Sequence, residues 1–145
     1  MIERLQSDLK DAMRKGDALA VSTLRLLLSQ MQYAKIQAGH PLNETETITV
    51  LERAVKTRRE AIEQYERGGR PELAQKERTE IGVVERYLPP PLTADETAAA
   101  VEALIAELGA KDKKDLGRVM KEFQARHRGR ADGKTVSALI ASRLA

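Results

Sequence analysis

The chain has 145 residues, no cysteine, and a formal net charge of only +3, although 32% of its residues are charged. The lack of cysteine excludes disulfides, thiolate metal sites and cysteine nucleophiles, and no apolar run approaches the roughly 18 residues that span a bilayer. These features predict a cytoplasmic protein of one or two small domains that does not contact a membrane.

Apolar residues three and four positions apart predict two helices at the start of the chain. The first helix is expected to end in a left-handed cap at Gly16, and Asp17 is expected to cap a second helix that closes near Gly39. The side chains predicted to face the core from these helices are Ile2, Leu5, Leu9, Met13, Leu24, Leu27, Leu28, Met31 and Ile36.

Capping signals predict two further helices. Asn43 and Glu46 have the spacing of a capping box, which favours a long helix over about 44–67, although the residues that follow Asn43 alternate as in a strand. Pro71 suits the first turn of a fourth helix. Residues 1–88 are therefore predicted to form an amino-terminal bundle of about four helices.

Three consecutive prolines, Pro89 to Pro91, remove three amide donors and stop any helix. They predict a domain boundary with a proline-rich hinge over 89–92, followed by a small three-helix carboxyl-terminal domain over 93–145. The predicted fold class is therefore all-α.

The carboxyl-terminal helices also have recognisable ends. Thr93 opens a second capping box, and the next helix is expected to begin at Asp112 or Lys113. Gly129 is expected to close that helix and Asp132 to cap the last one.

Positive charge is concentrated in the basic segment, defined as residues 110–134. This segment holds nine Lys or Arg against four acidic residues, whereas residues 93–109 hold four acids and no basic residue. On a helix Lys114, Arg118 and Lys121 share one face. The predicted nucleic-acid-binding residues are Lys111, Lys113, Lys114, Arg118, Lys121, Arg126, Arg128, Arg130 and Lys134.

The stretch GRADGKT, from Gly129 to Thr135, superficially matches a nucleotide-binding loop. Its glycines are one residue too close together, and a charged helical segment precedes it instead of a buried strand. The pattern favours a helix end followed by a helix start, whose free amides attract an anion such as a nucleic-acid phosphate.

The run KDKKDLGRVMKEFQARHRGRADGKTVSALIASRL, preceded by YLPPPLTADE, resembles the YqeY family over the whole chain. The carboxyl-terminal part of that family is similar to the tail of GatB, a subunit of the tRNA-dependent amidotransferase. The resemblance implies that this tail grips tRNA. The implied partners are tRNA and an aminoacyl-tRNA synthetase or amidotransferase subunit, with no DNA expected.

Catalysis does not follow from the residues. Carbon-nitrogen ligase activity with glutamine as amido-N-donor is implied only by the likeness to GatB, and no catalytic residue, cofactor site or metal site is predicted. The alternative function is a protein adaptor that docks through helix 44–67 or through the acidic segment 93–109.

Gly117 has two interpretations. The first is close helix packing, and the second is close approach of an RNA backbone. Gly82 has the same two interpretations, with packing favoured.

Overall fold

The computed structural model describes all 145 residues and contains helices but no strand, which confirms the all-α prediction. None of the helices combines the length and the apolar composition needed to cross a membrane. The chain divides into two compact units, an amino-terminal unit, Met1–Leu88, and a carboxyl-terminal unit, Pro89–Ala145. A single-turn 3-10 helix, Lys113–Asp115, precedes the sixth of seven α-helices, which are α1 (Ile2–Lys15), α2 (Ala18–Ala38), α3 (Glu44–Arg67), α4 (Pro71–Glu85), α5 (Ala94–Leu108), α6 (Leu116–Arg126) and α7 (Gly133–Arg143).

Local signals set the helix boundaries of the amino-terminal unit. Gly16 and Gly39 both adopt left-handed conformations, with φ of 69° and 75°, and they end α1 and α2 as predicted. Asn43 accepts a hydrogen bond from the Glu46 amide at 2.8 Å, and the Glu46 carboxylate accepts one from the Asn43 amide at 3.0 Å. This capping box begins α3 and confirms the helix over the alternative of a strand.

The core of the amino-terminal unit is formed by buried apolar side chains of α1 to α4, together with Tyr87 just after α4. The prediction that Met13 and Ile36 face the core is wrong, since these residues are 53% and 75% exposed. Only part of each apolar stripe faces another helix, and in α1 it is Ala12 that is buried instead of Met13. The fully buried large side chains of this unit include Leu5, Leu27, Met31, Leu51 and Val84.

Three helices form the core of the carboxyl-terminal unit. The capping box of Thr93 and Glu96 begins α5 as predicted, and Phe123 of α6 lies at the centre with 1% of its surface exposed. The other buried apolar side chains are Val101, Leu104, Val119, Val136, Ile140 and Leu144.

Two predicted helix ends in this unit need correction. The helix α6 ends at Arg126 with His127 as its cap, and Gly129 adopts its left-handed conformation later in the loop, with φ of 75°. Asp132 does precede α7, but its carboxylate accepts a hydrogen bond from the Thr135 hydroxyl at 2.9 Å and caps no backbone amide of the helix. The Thr135 hydroxyl competes with the backbone amides of α7 for the Asp132 carboxylate.

Candidate nucleic-acid interface

The lysine loop, defined as Lys111–Asp115, connects α5 to α6 and is tied by hydrogen bonds of its own aspartates. The Asp115 carboxylate accepts from the Lys111 amide at 3.0 Å, and the Asp112 carboxylate accepts from the Lys114 amide at 2.9 Å. The Asp115 amide donates to the Asp112 carbonyl at 3.0 Å, and the Lys111 carbonyl accepts from the Ala145 amide at 3.2 Å. The loop therefore has a defined backbone although its lysine side chains are exposed.

Sequence reasoning missed the hydrogen bonds of these two carboxylates. It named Asp112 as a possible helix start, which agrees with its position before the 3-10 helix, but it counted Asp115 only as a charge that reduces the positive potential of the basic segment. The signal was present, because aspartate commonly accepts hydrogen bonds from backbone amides two or more residues away in turns and short helices.

Four of the nine predicted residues have exposed side chains that form no ion pair within the chain. We call these residues, Lys111, Lys113, Lys114 and Lys121, the four-lysine surface. The 3-10 helix runs directly into α6, so Lys114, Arg118 and Lys121 follow one another at spacings of four and three along one helical path. Two of these three residues, Lys114 and Lys121, belong to the four-lysine surface.

Two predicted arginines are engaged with carboxylates. Arg118 donates to Asp115 at 3.1 Å. Arg126 forms a bidentate pair with Glu107 at 2.7 and 2.8 Å and also donates to Glu122 at 2.9 Å. The hydrogen bonds and charge of Arg126 hold the pKa of the Glu107 carboxyl below its usual range. Arg126 therefore links α5 to α6, and three of its five N–H donors are already used within the chain.

The remaining predicted residues lie in or just after the loop between α6 and α7. Arg130 is half-buried, its Nε donates to the Pro90 carbonyl at 2.9 Å, and its carbonyl accepts from the Leu92 amide at 2.8 Å. These bonds attach the proline segment to the loop. Arg128 and Lys134 also interact with other groups of the chain.

His127 caps α6 with its ring against Phe123, the ring centroids being 4.8 Å apart. Its Nδ1 is buried and makes no hydrogen bond. Burial lowers the pKa of His127, and the charges of Arg130 and Arg126 lower it further. No group of three or more His, Asp or Glu side chains is arranged to hold a metal ion.

We expect acidification to destabilise the carboxyl-terminal unit through His127. Because the pKa of His127 is lower in the folded chain than when unfolded, the unfolded chain takes up the proton first as pH falls below about 6.5. The variant His127→Phe keeps a ring against Phe123 but cannot be protonated. Its melting temperature should fall less than that of the wild type between pH of about 7.5 and 5.5, and an equal fall would contradict this role.

Gly117, in the first turn of α6, has no packing partner. A Cβ atom on this residue would meet no atom within 4 Å, and the residue is exposed. The interpretation as a close helix contact is therefore wrong, because no neighbouring element approaches the helix there. The same holds for Gly82 in α4, where a Cβ would also meet nothing within 4 Å.

The fold and the surface together define a small all-helical protein whose carboxyl-terminal unit presents exposed lysines on an ordered loop. The chain belongs to the YqeY family, since the family model described as Yqey-like protein matches residues 2–144. This finding confirms the resemblance drawn from the paired motifs DLGRVMK and GRADGK.

Three fungal relatives illustrate the similarity. An uncharacterized protein of Schizosaccharomyces pombe is 31% identical over 85 residues, which are 59% of this chain and 69% of the relative. Altered inheritance of mitochondria protein 41, mitochondrial, of Eremothecium gossypii is 32% identical over 110 residues, 74% of this chain and 60% of the relative. The protein of the same name from Pyrenophora tritici-repentis is 27% identical over 143 residues, 97% of this chain and 78% of the relative.

These names correct the prediction of a cytoplasmic location. That prediction is wrong, because relatives of the chain are named as mitochondrial proteins. Its basis was the lack of cysteine and of a long apolar run, and neither feature distinguishes one reducing compartment from another.

Proposed function

We propose that the protein binds tRNA through the basic segment and acts as a non-catalytic accessory module in tRNA-dependent amidation. The observation that carries the proposal is the four-lysine surface, whose side chains are exposed and form no ion pair. Phosphate contacts supply most of the sequence-independent affinity of proteins for nucleic acids. Lysines that have no acidic partner within the chain are available for such contacts.

Two further points favour structured RNA as the ligand. The similarity of the carboxyl-terminal sequence to the GatB tail points to tRNA. In addition, Phe123 is the only Phe, Tyr or Trp of the carboxyl-terminal unit, and it is 1% exposed. Without exposed aromatic rings to stack unpaired bases, recognition would rest on phosphates and on the shape of the RNA.

The compartment of this function follows the relatives, whose names assign them to mitochondria. The chain spans 60% of the length of one of these relatives and 78% of another. Glutamine-dependent carbon-nitrogen ligase activity of the isolated chain is not part of the proposal. Purified protein incubated with mischarged tRNA and glutamine is expected to form no amide.

A protein adaptor is the second candidate function, and one observation on α2 favours it. Leu26, Tyr33 and Ile36 are 48%, 65% and 75% exposed, and their spacings of seven and three place them along one side of the helix. An apolar stripe of this kind suits docking on a synthetase or amidotransferase subunit. Co-purification that survives nuclease treatment and is lost in Tyr33→Asp would support it.

The salt dependence of binding to a tRNA(Gln) transcript tests the main proposal. If the four-lysine surface engages four phosphates, log K should fall against log salt with a slope of roughly −3. Replacing all four lysines by glutamine should flatten this slope and lower affinity at low salt by at least about tenfold. A matched control with the same loss of charge replaces four exposed lysines of the amino-terminal unit, Lys10, Lys15, Lys56 and Lys76.

The control variant should bind with an affinity and slope close to those of the wild type. Equal losses in the two quadruple variants would show that only net charge matters and would overturn the assignment of the surface. Affinity that does not depend on salt would overturn phosphate binding altogether.

A further inference from the structure

We infer that Asp115 and Gly117, within the sequence DLG at the start of α6, shape a phosphate site in which Asp115 positions the lysine loop and Gly117 is the point of closest RNA approach. This inference rests on the proposed function. It assigns roles to an acidic residue and to a glycine that simple charge counting would place outside the site.

Asp115 uses both carboxylate oxygens to hold the site. Oδ2 accepts from the Lys111 amide at 3.0 Å and Oδ1 accepts from the Arg118 guanidinium at 3.1 Å. The residue thus joins the first position of the lysine loop to the first turn of α6. The bond from the Lys111 amide is the largest cause that holds the pKa of the Asp115 carboxyl below its usual range.

An ordered loop binds better than a mobile one because less conformational entropy is lost on binding. The carboxylate of Asp115 reduces the net positive charge, yet it fixes the backbone that presents Lys113 and Lys114. Asparagine would not substitute, because one of its two terminal groups is an NH₂ donor, which would face either the Lys111 amide or the Arg118 guanidinium. One of the two hydrogen bonds would therefore be lost.

Gly117 is unexplained by the protein's own structure. It lies within α6, where alanine is a better helix former, and its φ is not positive. A Cβ would meet no atom within 4 Å, so neither backbone conformation nor packing requires glycine. Gly117 lies three residues after Lys114 and four before Lys121, so this position without a side chain shares a helix face with two lysines of the four-lysine surface. A bare backbone there allows a ligand phosphate to come closer than any other residue would permit.

The test for Asp115 separates the effect of net charge on affinity for RNA from the effect of an ordered loop. The variant Asp115→Asn makes the protein more positive, yet its affinity for the tRNA(Gln) transcript should fall about tenfold, the loss of one charge-assisted contact. The salt slope should also become flatter, which a change in global stability alone would not produce. The matched control is Asp95→Asn, an exposed acid in the first turn of α5, whose affinity should be unchanged or slightly higher.

The test for Gly117 separates stability from binding. Gly117→Ala should raise the melting temperature and still lower affinity about tenfold, because the added methyl group stands between the helix and the ligand phosphate. The control Gly82→Ala, at an equally open helical glycine in the amino-terminal unit, should raise the melting temperature and leave affinity unchanged.

Wild-type or higher affinity in both Asp115→Asn and Gly117→Ala, together with loss of binding in the quadruple lysine variant, would overturn this inference and leave the proposed function standing. Undiminished binding by the quadruple lysine variant would overturn both. If Asp115→Asn fails to fold, the Gly117→Ala comparison decides alone, since that substitution favours the helix.

Discussion

Replacement of Arg58 by alanine is expected to lower the free energy of unfolding by about 3–5 kcal/mol, because it leaves the largely buried carboxylate of Glu80 without its cation. The Arg58 side chain is 7% exposed, and its Nε donates to Glu80 at 3.3 Å, where the carboxylate side chain is 14% exposed. Nη1 also donates to the Ala54 carbonyl at 3.0 Å. The pair joins α3 to α4 inside the amino-terminal unit.

A second carboxyl group increases this dependence on Arg58. Burial raises the pKa of Glu77, the adjacent Glu80 raises it further, and the charge of Arg58 opposes both effects. Without Arg58, the folded pKa of Glu77 should lie further above its unfolded value. The folded state then takes up protons first as pH falls. The deficit of Arg58→Ala should therefore be smaller at pH of about 5 than at pH of about 7.5.

Denaturant unfolding of two comparison proteins makes the prediction specific. Arg67→Ala removes an exposed ion pair in which Arg67 is 81% exposed and lies 4.0 Å from Glu63, and it should change stability by less than about 1 kcal/mol. The double variant Arg58→Met with Glu80→Met removes both charges and should be close to the wild type. A loss in Arg58→Ala no greater than in Arg67→Ala would contradict the prediction.

The sequence contained a signal for this buried pair that its interpretation did not use. Arg58 lies three residues after Val55 and four before Ile62, so it shares a helix face with these apolar residues of α3. A charged residue at a core position of an amphipathic helix needs a partner. Glu80 was not predictable as the partner, because it lies 22 residues away on α4. Which side of α4 faces α3 depends on packing.

Helix boundaries were predictable where the signal was local. The capping boxes at Asn43 and Thr93 each require only residues three positions apart, and both are present. Apolar periodicity alone was less reliable, since Met13 and Ile36 continue their stripes but stay exposed. Periodicity in the sequence identifies the apolar face of a helix. How much of that face another helix covers depends on the packing of the whole fold.

The candidate site was predictable as a segment but not as an arrangement of donors. Charge counting and family resemblance both pointed to residues 110–134. Neither identified Arg126 as the partner of Glu107, 19 residues away, or Arg130 as the donor to Pro90, 40 residues away. These long-range contacts distinguish arginines that hold the unit together from lysines that remain available to a ligand.

Replacement of Phe123 by alanine is expected to unfold the carboxyl-terminal unit and leave the amino-terminal unit folded. Truncating a fully buried phenylalanine costs about 3–5 kcal/mol through lost burial and the cavity left behind. A core in a domain below about 70 residues rarely supplies more than 3–5 kcal/mol in total, and this unit comprises residues 89–145. The loss is therefore comparable to its entire stability, and tRNA binding should disappear with it.

Amide hydrogen exchange measured by NMR resolves the two units in one experiment. In Phe123→Ala, the amides of α5, α6 and α7 should lose protection while those of α1 to α4 keep it. The matched variant is Leu51→Ala, a fully buried position in the other unit, which should weaken protection in α1 to α4 and preserve both protection in α5 to α7 and tRNA binding. Simultaneous loss of protection in all seven helices of either variant would contradict the prediction and show that the chain unfolds as one cooperative unit. Two independent cores would respond separately, because each variant makes a cavity in only one of them.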